Sequence, residues 1–391
     1  MRILSISTLY PNLAQPHFGI FVERQMQAVA QRGDAQLLLI NPIGLPPWPL
    51  SLHPRYRRLS RLAAEEQRGS VLVLHPRFRL LPGIGGRFNP AAIARSVLPL
   101  ARKLHAQQPF DLVDAQFFYP DGPAAARIAK ALGLPLSIKA RGTDIHHWGN
   151  QPGTASQVLA AGQQAAGMLA VAQGIADDMA ALGLPRERIT LHRTGLDRSR
   201  FRPLDRAAAR AKFGFSADIP LLACVGALIP RKGQAFVIDA LPHLPAAQLA
   251  LAGAGPDEAM LRDRAAQLGV ADRVHFLGPV PHAALPELLS AADVFVMPSS
   301  SEGLANAWIE ALACGVPVVT TPIPGALELI TDPAYGRFAG RDGREIADAV
   351  TALLQAPPPQ AAVVRATEGY SWEENAAQLV AHWARLLGTS R

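Results

Sequence analysis

The sequence predicts an α/β protein built from two doubly wound parallel-sheet domains. Short runs rich in valine, isoleucine and leucine alternate with alanine-rich segments of helical periodicity over most of the 391 residues. This alternation starts again near residue 200, so the second half of the chain repeats the architecture of the first. We therefore expect one sheet in each half, with helices on both faces of each sheet.

The predicted elements follow this alternation in order. In the first half, helices over 91–105 and 122–132 have the clearest periodicity. The strands predicted there are 2–7, 36–40, 71–75, 111–115, 135–139, 168–172 and 189–193. The strands predicted in the second half, each followed by a helical stretch, are 221–225, 248–252, 274–277, 293–297 and 316–320.

We predict three segments of domain organisation: domain 1–199, domain 200–371, and a final helix within 372–391 that packs back across the first domain. In open parallel sheets, ligands bind at the carboxyl ends of the strands. Two such domains facing each other would form a cleft, and the functional loops are expected to line it.

Composition excludes several classes of protein. With 49% hydrophobic and 18% charged residues, the chain is too apolar to be disordered. Its longest apolar runs are shorter than the roughly 20 residues of a membrane-spanning helix, and residues 1–7 predict a buried strand instead of a signal peptide. Cys224 and Cys314 lie in separate apolar segments and are predicted to be core residues. A cytoplasmic location is expected.

The net charge of +7 suits a nucleic acid, an anionic lipid surface or a phosphate-bearing substrate. Segment 46–61 combines Trp48 with several arginines, which fits attachment to the inner face of an anionic membrane. The same segment also fits a solvated loop followed by a polar helix face. No recognised nucleic-acid-binding motif accompanies the charge, so no nucleic-acid partner is expected.

The most informative loop follows the predicted strand 293–297. It carries Glu302 at the strand end and Glu310 inside the next predicted helix. A nucleotide-diphosphate sugar presents hydroxyl donors at both ends and a diphosphate between them. Two carboxylates can accept those hydroxyl hydrogen bonds while a helix N-terminus binds the phosphates. An isolated pair with this spacing is more often solvated, so the interpretation depends on the neighbouring motifs.

Those neighbouring motifs resemble a known family. The run from Glu302 to Glu310 is similar to the E-x7-E signature of the retaining glycosyltransferases of family four, which have the GT-B fold of two Rossmann-like domains. Three further motifs occur in the family's order, namely Thr194-Gly-Leu-Asp197, the loop Gly226 to Gly233, and Leu251-Ala-Gly-Ala-Gly-Pro256. The resemblance covers nearly the whole second half of the chain. It implies metal-independent sugar transfer, with retention at the sugar carbon, in polysaccharide or glycolipid assembly.

The resemblance also assigns roles to residues. Arg231 and Lys232 would neutralise the diphosphate and stabilise it as a leaving group, with Glu302 facing the transferred sugar. A solvated basic pair on a surface turn is the alternative for these two cations. Glu310 would accept the ribose hydroxyls. The donor-binding residues implied in addition are Gly19, Gly226, Gly255, Pro279, Val280, Gly303, Leu304 and Ala305.

The first domain matches the family less tightly. The segment Arg141-Gly-Thr-Asp144 is similar to one in which many members carry a histidine where this chain has arginine. Arg141 and Asp144 are therefore predicted only to contact the acceptor or a phosphate. The adjacent His146 and His147 are interpreted as polar loop residues, since no ligand set for a metal accompanies them. No cofactor is expected apart from the donor, for which UDP is the preferred nucleotide.

Other functions remain open on the sequence alone. A nucleotide-sugar epimerase would need similar diphosphate and sugar contacts but no separate acceptor. A nicotinamide oxidoreductase is disfavoured because the turn after strand 2–7 lacks Gly-x-Gly-x-x-Gly. A non-catalytic sugar-binding protein is the remaining alternative.

Overall fold

The computed structural model describes residues 1–16, 18–83 and 85–388. The chain divides into two compact units, one formed by Met1–Gly195 together with the segment from Ser371 onward, and one formed by Leu196–Tyr370. The predicted boundary between residues 199 and 200 lies just beyond this division. The last three residues of the predicted segment 372–391 lie outside the described residues.

The first unit contains an eight-stranded sheet of order β10-β9-β8-β7-β1-β2-β5-β4, which is parallel except for β4. β3 and β6 form a separate parallel pair. The strands are β1 (Arg2–Ile6), β2 (Gln36–Ile40), β3 (Ile43–Leu45), β4 (Glu65–Arg68), β5 (Val71–Leu74), β6 (Arg77–Arg79), β7 (Leu112–Ala115), β8 (Leu136–Ala140), β9 (Gly167–Ala170) and β10 (Ile189–Leu191). The helices are α1 (Ile20–Arg32), α2 (Pro54–Ser60), α3 (Asn89–Gln107), α4 (Asp121–Leu132), α5 (Thr143–His146), α6 (Ala155–Gln164), α7 (Gln173–Ala181) and, at the C-terminal end, α16 (Trp372–Leu386).

The second unit contains a fully parallel six-stranded sheet of order β13-β12-β11-β14-β15-β16. Its strands are β11 (Leu221–Val225), β12 (Gln248–Ala252), β13 (Val274–Gly278), β14 (Val294–Val296), β15 (Val318–Thr320) and β16 (Gly336–Phe338). Its helices are α8 (Arg206–Phe213), α9 (Gln234–Ala240), α10 (Glu258–Gln267), α11 (Leu285–Ala291), α12 (Asn306–Ala313), α13 (Pro324–Leu329), α14 (Gly343–Gln355) and α15 (Gln360–Val364).

Both sheets confirm the predicted α/β class, and every predicted strand coincides with an observed one. The short strands β3, β4, β6 and β16 were not predicted. β4 reads Glu-Glu-Gln-Arg and β6 reads Arg-Phe-Arg, so neither carries the apolar run that identifies a buried strand. These strands form because a neighbour supplies the pairing edge, which a local pattern does not reveal.

The cores combine strand residues with residues of the helices that pack on the sheets. Ile3, Leu4 and Ile6 of β1 are completely buried, as expected for a parallel strand with helices on both faces of its sheet. Cys224 and Cys314 are buried free thiols, which confirms their prediction as core residues. Burial raises the pKa of each thiol to about 12. Among the described residues, no helix has both the length and the apolar character needed to cross a bilayer.

Candidate functional site

The predicted donor residues of the second unit lie at one edge of its sheet. β11 is the first strand of this unit along the chain, and it lies between β12 and β14. The sheet extends from β11 through β12 and β13 on one side and through β14, β15 and β16 on the other. Loops at the carboxyl ends of two such strands diverge and leave a crevice in which α/β proteins bind their ligands. Arg231 and Lys232 follow β11, and Glu302 follows β14. The topology therefore brings residues about 70 positions apart in sequence to the two sides of one crevice.

Three charged side chains meet at this crevice. A guanidinium nitrogen of Arg231 and the Nζ of Lys232 donate to the same oxygen of Glu302, at 2.6 and 2.7 Å. Only 11% of the Glu302 side chain and 14% of the Lys232 side chain are exposed, whereas Arg231 is 39% exposed. One carboxylate thus balances two cations, and the cluster keeps a surplus positive charge that suits a diphosphate.

Backbone contacts hold the two loops together. The amide of Ser300 donates to the carbonyl of Arg231 at 2.9 Å, and Arg231 also donates to the carbonyl of Ser301 at 2.7 Å. Gly233 has a φ of 78°, and a Cβ there would overlap the carbonyl oxygen of Pro298. Glycine is therefore required at this position for both its backbone conformation and its close contact.

Glycines also bring the loops after β11 and β12 into backbone contact. A Cβ on Gly253 would overlap the carbonyl of Gly226, and one on Gly255 would overlap the carbonyl of Leu228. Gly226 and Gly255 were predicted as site residues, whereas Gly253, which lies in the same motif as Gly255, was not. Here the glycines serve close packing of the loops that surround the charged cluster.

Gly303, Leu304 and Ala305 connect Glu302 to the start of α12. Ala305 is the N-cap residue of α12 and offers no side-chain acceptor to the first turn. The N-terminus of α12 therefore carries the partial positive charge of uncapped amides beside the Glu302 cluster. A Cβ on Gly325 would overlap the carbonyl of Gly303, so α13 also begins against this loop.

Glu310 lies on α12 and has a partner that the sequence analysis missed. The Nε2 of His282 lies 2.8 Å from a carboxylate oxygen of Glu310, and both side chains are mostly buried. The ring of His282 packs edge-on against Phe201, with 5.0 Å between ring centroids. His282 comes from the loop after β13, which also contains the predicted base-contacting residues Pro279 and Val280.

Arg341 is a second supporting residue that the sequence did not reveal. It follows β16, donates to the carbonyl of Pro230, and lies over the ring of Phe236 at 4.7 Å. Because Pro230 precedes Arg231, this hydrogen bond helps to hold the loop that carries Arg231 and Lys232. No motif in the sequence links Arg341 to that loop, since the contact depends on the strand order.

In the first unit, Gly19 is the N-cap residue of α1 with a φ of 74°. A Cβ at this position would lie 2.5 Å from the carbonyl oxygen of Leu9, within the loop that follows β1. This close contact alone requires glycine there. The predicted contact of Gly19 with a ligand stays a prediction.

Asp144 has a clear structural role. Its buried carboxylate accepts from the amides of Phe118, Arg141 and Gly142 at 2.8, 3.0 and 2.7 Å. It therefore connects the loop after β7 with the loop after β8. Burial raises the pKa of Asp144, and these amide hydrogen bonds oppose that rise. The carboxylate of Asp144 therefore already accepts hydrogen bonds from three backbone amides. Its predicted contact with the acceptor or a phosphate stays a prediction.

Arg141 is held by Gln116 and Phe21. Its guanidinium donates to the carbonyl and to the side-chain oxygen of Gln116 at 2.7 and 2.8 Å, and lies over the Phe21 ring at 4.9 Å. Burial lowers the pKa of Arg141 to about 10, so the side chain stays charged at neutral pH. A fixed cation at the carboxyl edge of this sheet is compatible with the predicted contact to an anionic or sugar oxygen.

Behind Arg141 lies a buried polar network that the sequence did not predict. Lys139 is completely buried, and its Nζ lies 2.9 Å from the Oε1 of Gln25 and 2.8 Å from the Nδ1 of His192. Gln25 in turn donates to Gln116 at 2.6 Å. Burial, and secondarily the charge of Arg141, lowers the pKa of Lys139 well below its usual range.

Metal binding receives no structural support within the described ranges, where no three His, Cys, Asp or Glu side chains are grouped to hold an ion. Of the two adjacent histidines, His146 lies 2.7 Å from a carboxylate oxygen of Asp178. The ring of His147 packs edge-on against Trp148. Metal independence of the reaction stays a prediction.

Two Rossmann-like units with these sheet orders define the GT-B fold. A solved structure of HepE from Anabaena in complex with UDP superposes with a TM-score of 0.74, covering 97% of this chain and 98% of that one at 20% identity. Residues 205–369 match the family model described as glycosyl transferases group 1, and residues 50–200 match the model described as glycosyltransferase family 4. The chain belongs to glycosyltransferase family four.

Two curated relatives illustrate the family. A D-inositol 3-phosphate glycosyltransferase from Mycobacteroides abscessus is 35% identical over 212 residues, which are 52% of this chain and 48% of that protein. The chain spans about half the length of several curated relatives it matches, this one included. TuaC of Bacillus subtilis, named for a glycosyltransferase step of teichuronic acid biosynthesis, is 28% identical over 361 residues, covering 90% of this chain and 88% of that protein. The epimerase alternative gains no support from these comparisons.

Proposed function

We propose that the protein transfers a hexose-type sugar from a nucleotide-diphosphate donor to a hydroxyl group of a glycan or lipid-linked acceptor. The observation that carries this proposal is the meeting of Arg231, Lys232 and Glu302 at the crevice between β11 and β14. Two fixed cations beside an uncapped helix N-terminus suit a diphosphate that gains negative charge as it departs.

The reaction breaks the bond between the sugar carbon and the phosphate oxygen and forms a bond from that carbon to the acceptor oxygen. In the proposed mechanism the departing phosphate takes the acceptor proton, so no protein nucleophile and no metal ion is needed. The new bond forms on the face that the diphosphate leaves, which retains the configuration of the sugar. Arg231 and Lys232 stabilise the leaving group electrostatically.

Glu302 has two roles in this proposal. Without donor, Glu302 is the counter-ion of both Arg231 and Lys232. It thereby reduces the repulsion between two positive charges that are partly removed from water. With donor bound, the phosphates replace it as the partner of Arg231 and Lys232. Glu302 then accepts hydrogen bonds from sugar hydroxyls, and Glu310 accepts those of the ribose.

The acceptor class rests on relatives. The names of two relatives refer to D-inositol 3-phosphate in one case and to teichuronic acid biosynthesis in the other. Both names point to hydroxyl-rich, anionic acceptors. We therefore propose a step in polysaccharide or glycolipid assembly at the cytoplasmic side of a membrane, with a UDP-sugar as the preferred donor.

The proposal is tested by calorimetric titration of the full chain with UDP-, GDP- and ADP-sugars. We expect saturable binding of one nucleotide class, weakened by about 10- to 100-fold in Lys232→Ala and in Glu310→Ala, since each loses a charge-assisted hydrogen bond. Lys212→Ala is the matched control, because Lys212 pairs with Glu287 on the surface of the same unit. Unchanged binding is expected for it.

Product analysis completes the test. A donor that binds should give a new glycosidic bond and free nucleoside diphosphate when a hydroxyl acceptor is added, with the anomeric configuration retained by NMR. If no sugar nucleotide binds, or if a bound donor is converted without any acceptor, the proposal fails.

A further inference from the structure

The exposed large apolar side chains of the first unit are concentrated in the segments that follow three neighbouring strands. The most exposed are Leu13, Trp48 and Leu52, at 75%, 78% and 61%. Within the described part of this unit the full set is Leu13, Phe18, Trp48, Leu50, Leu52, Leu81 and Phe88. β1, β2 and β5 are adjacent and parallel, so the segments after them leave the sheet at the same edge.

Segment 46–61 contains three of these side chains and has its own support. Ile43, Leu59 and Leu62 are buried together, with Ala14 and Tyr56 packed against them. β3 immediately precedes the segment and pairs with β6. The segment therefore buries some of its apolar residues and presents Trp48, Leu50 and Leu52 to solvent, instead of being a loop without a core.

The charge around these side chains is strongly one-sided. Between Asp34 and Asp111 the only acidic residues are Glu65 and Glu66, against eleven lysines and arginines. The four arginines of segment 46–61 are all exposed and form no ion pair with any described residue: Arg55, Arg57, Arg58 and Arg61. Cations without local counter-ions attract an anionic partner.

We propose that segment 46–61 docks on the surface of an anionic lipid bilayer. Trp48, Leu50 and Leu52 would enter the boundary between headgroups and acyl chains, and the arginines of α2 would bind headgroup phosphates. A nucleic acid would give the arginines partners but would leave the exposed leucines in water. A bilayer with anionic headgroups satisfies both groups of side chains. This docking does not depend on sugar transfer, so the two proposals fail separately.

The electrostatic part is tested by sedimentation of the full chain with vesicles. Vesicles of phosphatidylcholine alone are compared with vesicles that also contain phosphatidylglycerol. We expect binding only to the mixed vesicles, and a loss on the order of 100-fold when Arg55, Arg57 and Arg58 are changed together to Gln. The control changes the exposed Arg202, Arg344 and Arg365 of the second unit to Gln. It removes the same charge and should bind as the wild type does.

The apolar part has its own matched pair. Trp48→Ser with Leu52→Ser should lower vesicle binding by at least about 10-fold, because it removes the inserted surface. The control is Met260→Ser with Leu327→Ser, which removes exposed apolar side chains from the second unit. This control should leave vesicle binding unchanged. Trp48 emission should shift to shorter wavelength with mixed vesicles, and Trp48→Phe should abolish that shift while the protein still sediments. Thermal melts establish that each variant is folded.

Three results would overturn the proposal. The first is a wild-type protein that does not sediment with mixed vesicles at physiological salt. The second is an equal loss of vesicle binding in the two variants that each replace three arginines, which would mean that only the net charge of the protein matters. The third is tight binding to an RNA homopolymer without binding to vesicles, which would make the segment a surface for soluble polyanions.

Discussion

Individual side chains explain why the candidate donor site is stable before a ligand arrives. Glu302 accepts from Arg231 and Lys232 through a single oxygen, which reduces the repulsion between the two cations and leaves one surplus positive charge. Glu310 is similarly paired with His282. In both pairs a predicted ligand-binding carboxylate already has a protein partner that fixes its orientation.

His282 should orient Glu310 toward the ribose of the donor, on the proposed function. His282→Ala should weaken UDP binding by about 10-fold, since Glu310 loses a charge-assisted hydrogen bond. His282→Gln can still donate and should recover most of that loss. The measurement is calorimetric titration with UDP and with its 2′,3′-dideoxy analogue. The analogue should bind the wild type and His282→Ala equally, and equal losses for both nucleotides would exclude a role through the ribose.

Asp121 should make the stability of the protein depend on pH. Its buried carboxylate accepts from the amide of Thr8 at 2.9 Å, and burial raises its pKa to about 7. The folded state therefore favours the protonated form, and the stability that this form contributes is lost as the pH rises from about 4 through about 7. Asp121→Asn stays neutral, so it should be more stable than the wild type at about pH 8, by a margin that shrinks toward pH 5.

Urea unfolding followed by circular dichroism across this pH range checks the prediction. Asp177→Asn is a suitable control, because Asp177 is exposed on α7. A margin for Asp121→Asn that is constant with pH would mean that the carboxyl does not titrate in the folded protein.

Among the secondary-structure elements, α16 reaches the first unit from the far end of the chain. Trp383 is completely buried with Leu379, in the same cluster as Val22 and Met26 of α1. Its indole nitrogen donates to Asp114 at 3.1 Å. The backbone carbonyl of Asn375 also lies 2.8 Å from the Nε2 of His192. The C-terminal helix therefore completes both the apolar core and the buried polar network of this unit.

Trp383→Phe should separate these two contributions. Phe fills most of the volume but leaves an oxygen of buried Asp114 without its donor, which should lower the free energy of unfolding by about 1–3 kcal/mol. Trp383→Ala adds a cavity and should cost about 3–5 kcal/mol. Thermal and urea unfolding measure both, with the exposed Arg385→Gln on the same helix as control. Equal losses for Phe and Ala would assign the whole effect to the hydrogen bond.

The two units of the molecule differ in how many segments of the chain build them. The second unit is one continuous segment, and its core cluster contains residues only from Leu196–Tyr370. The first unit is closed by a segment from the far end of the chain. These two arrangements have different consequences for fragments, because a unit folds alone only when its own segment supplies its core.

A fragment of residues 196–370 should fold by itself, with a cooperative thermal transition. A fragment of residues 1–195 should not, because it leaves the α1 face that α16 covers exposed to water. Circular dichroism melts and amide dispersion in NMR spectra test both fragments, and a synthetic peptide of residues 371–388 should rescue the first one. A cooperative transition of fragment 1–195 without the peptide would contradict the prediction.

The sequence predicts the α/β class, the approximate positions of the major strands and the motifs that contain Arg231, Lys232, Glu302 and Glu310. These properties are local, because a buried parallel strand needs a run of apolar residues and a tight loop needs glycine at particular positions. Both requirements appear in the order of residues along the chain. The short strands β4 and β6 escaped prediction because their own residues are mostly charged.

Which of those residues contact each other depends on the tertiary structure. The contact of Lys232 with Glu302 exists because β11 and β14 are neighbours in the sheet although two strands separate them in sequence. Two further contacts depend in the same way on segments that are distant in sequence. These are the hydrogen bond between His282 and Glu310 and the hydrogen bond from the amide of Phe118 to Asp144. Strand order results from the packing of the whole unit, so no local pattern carries it.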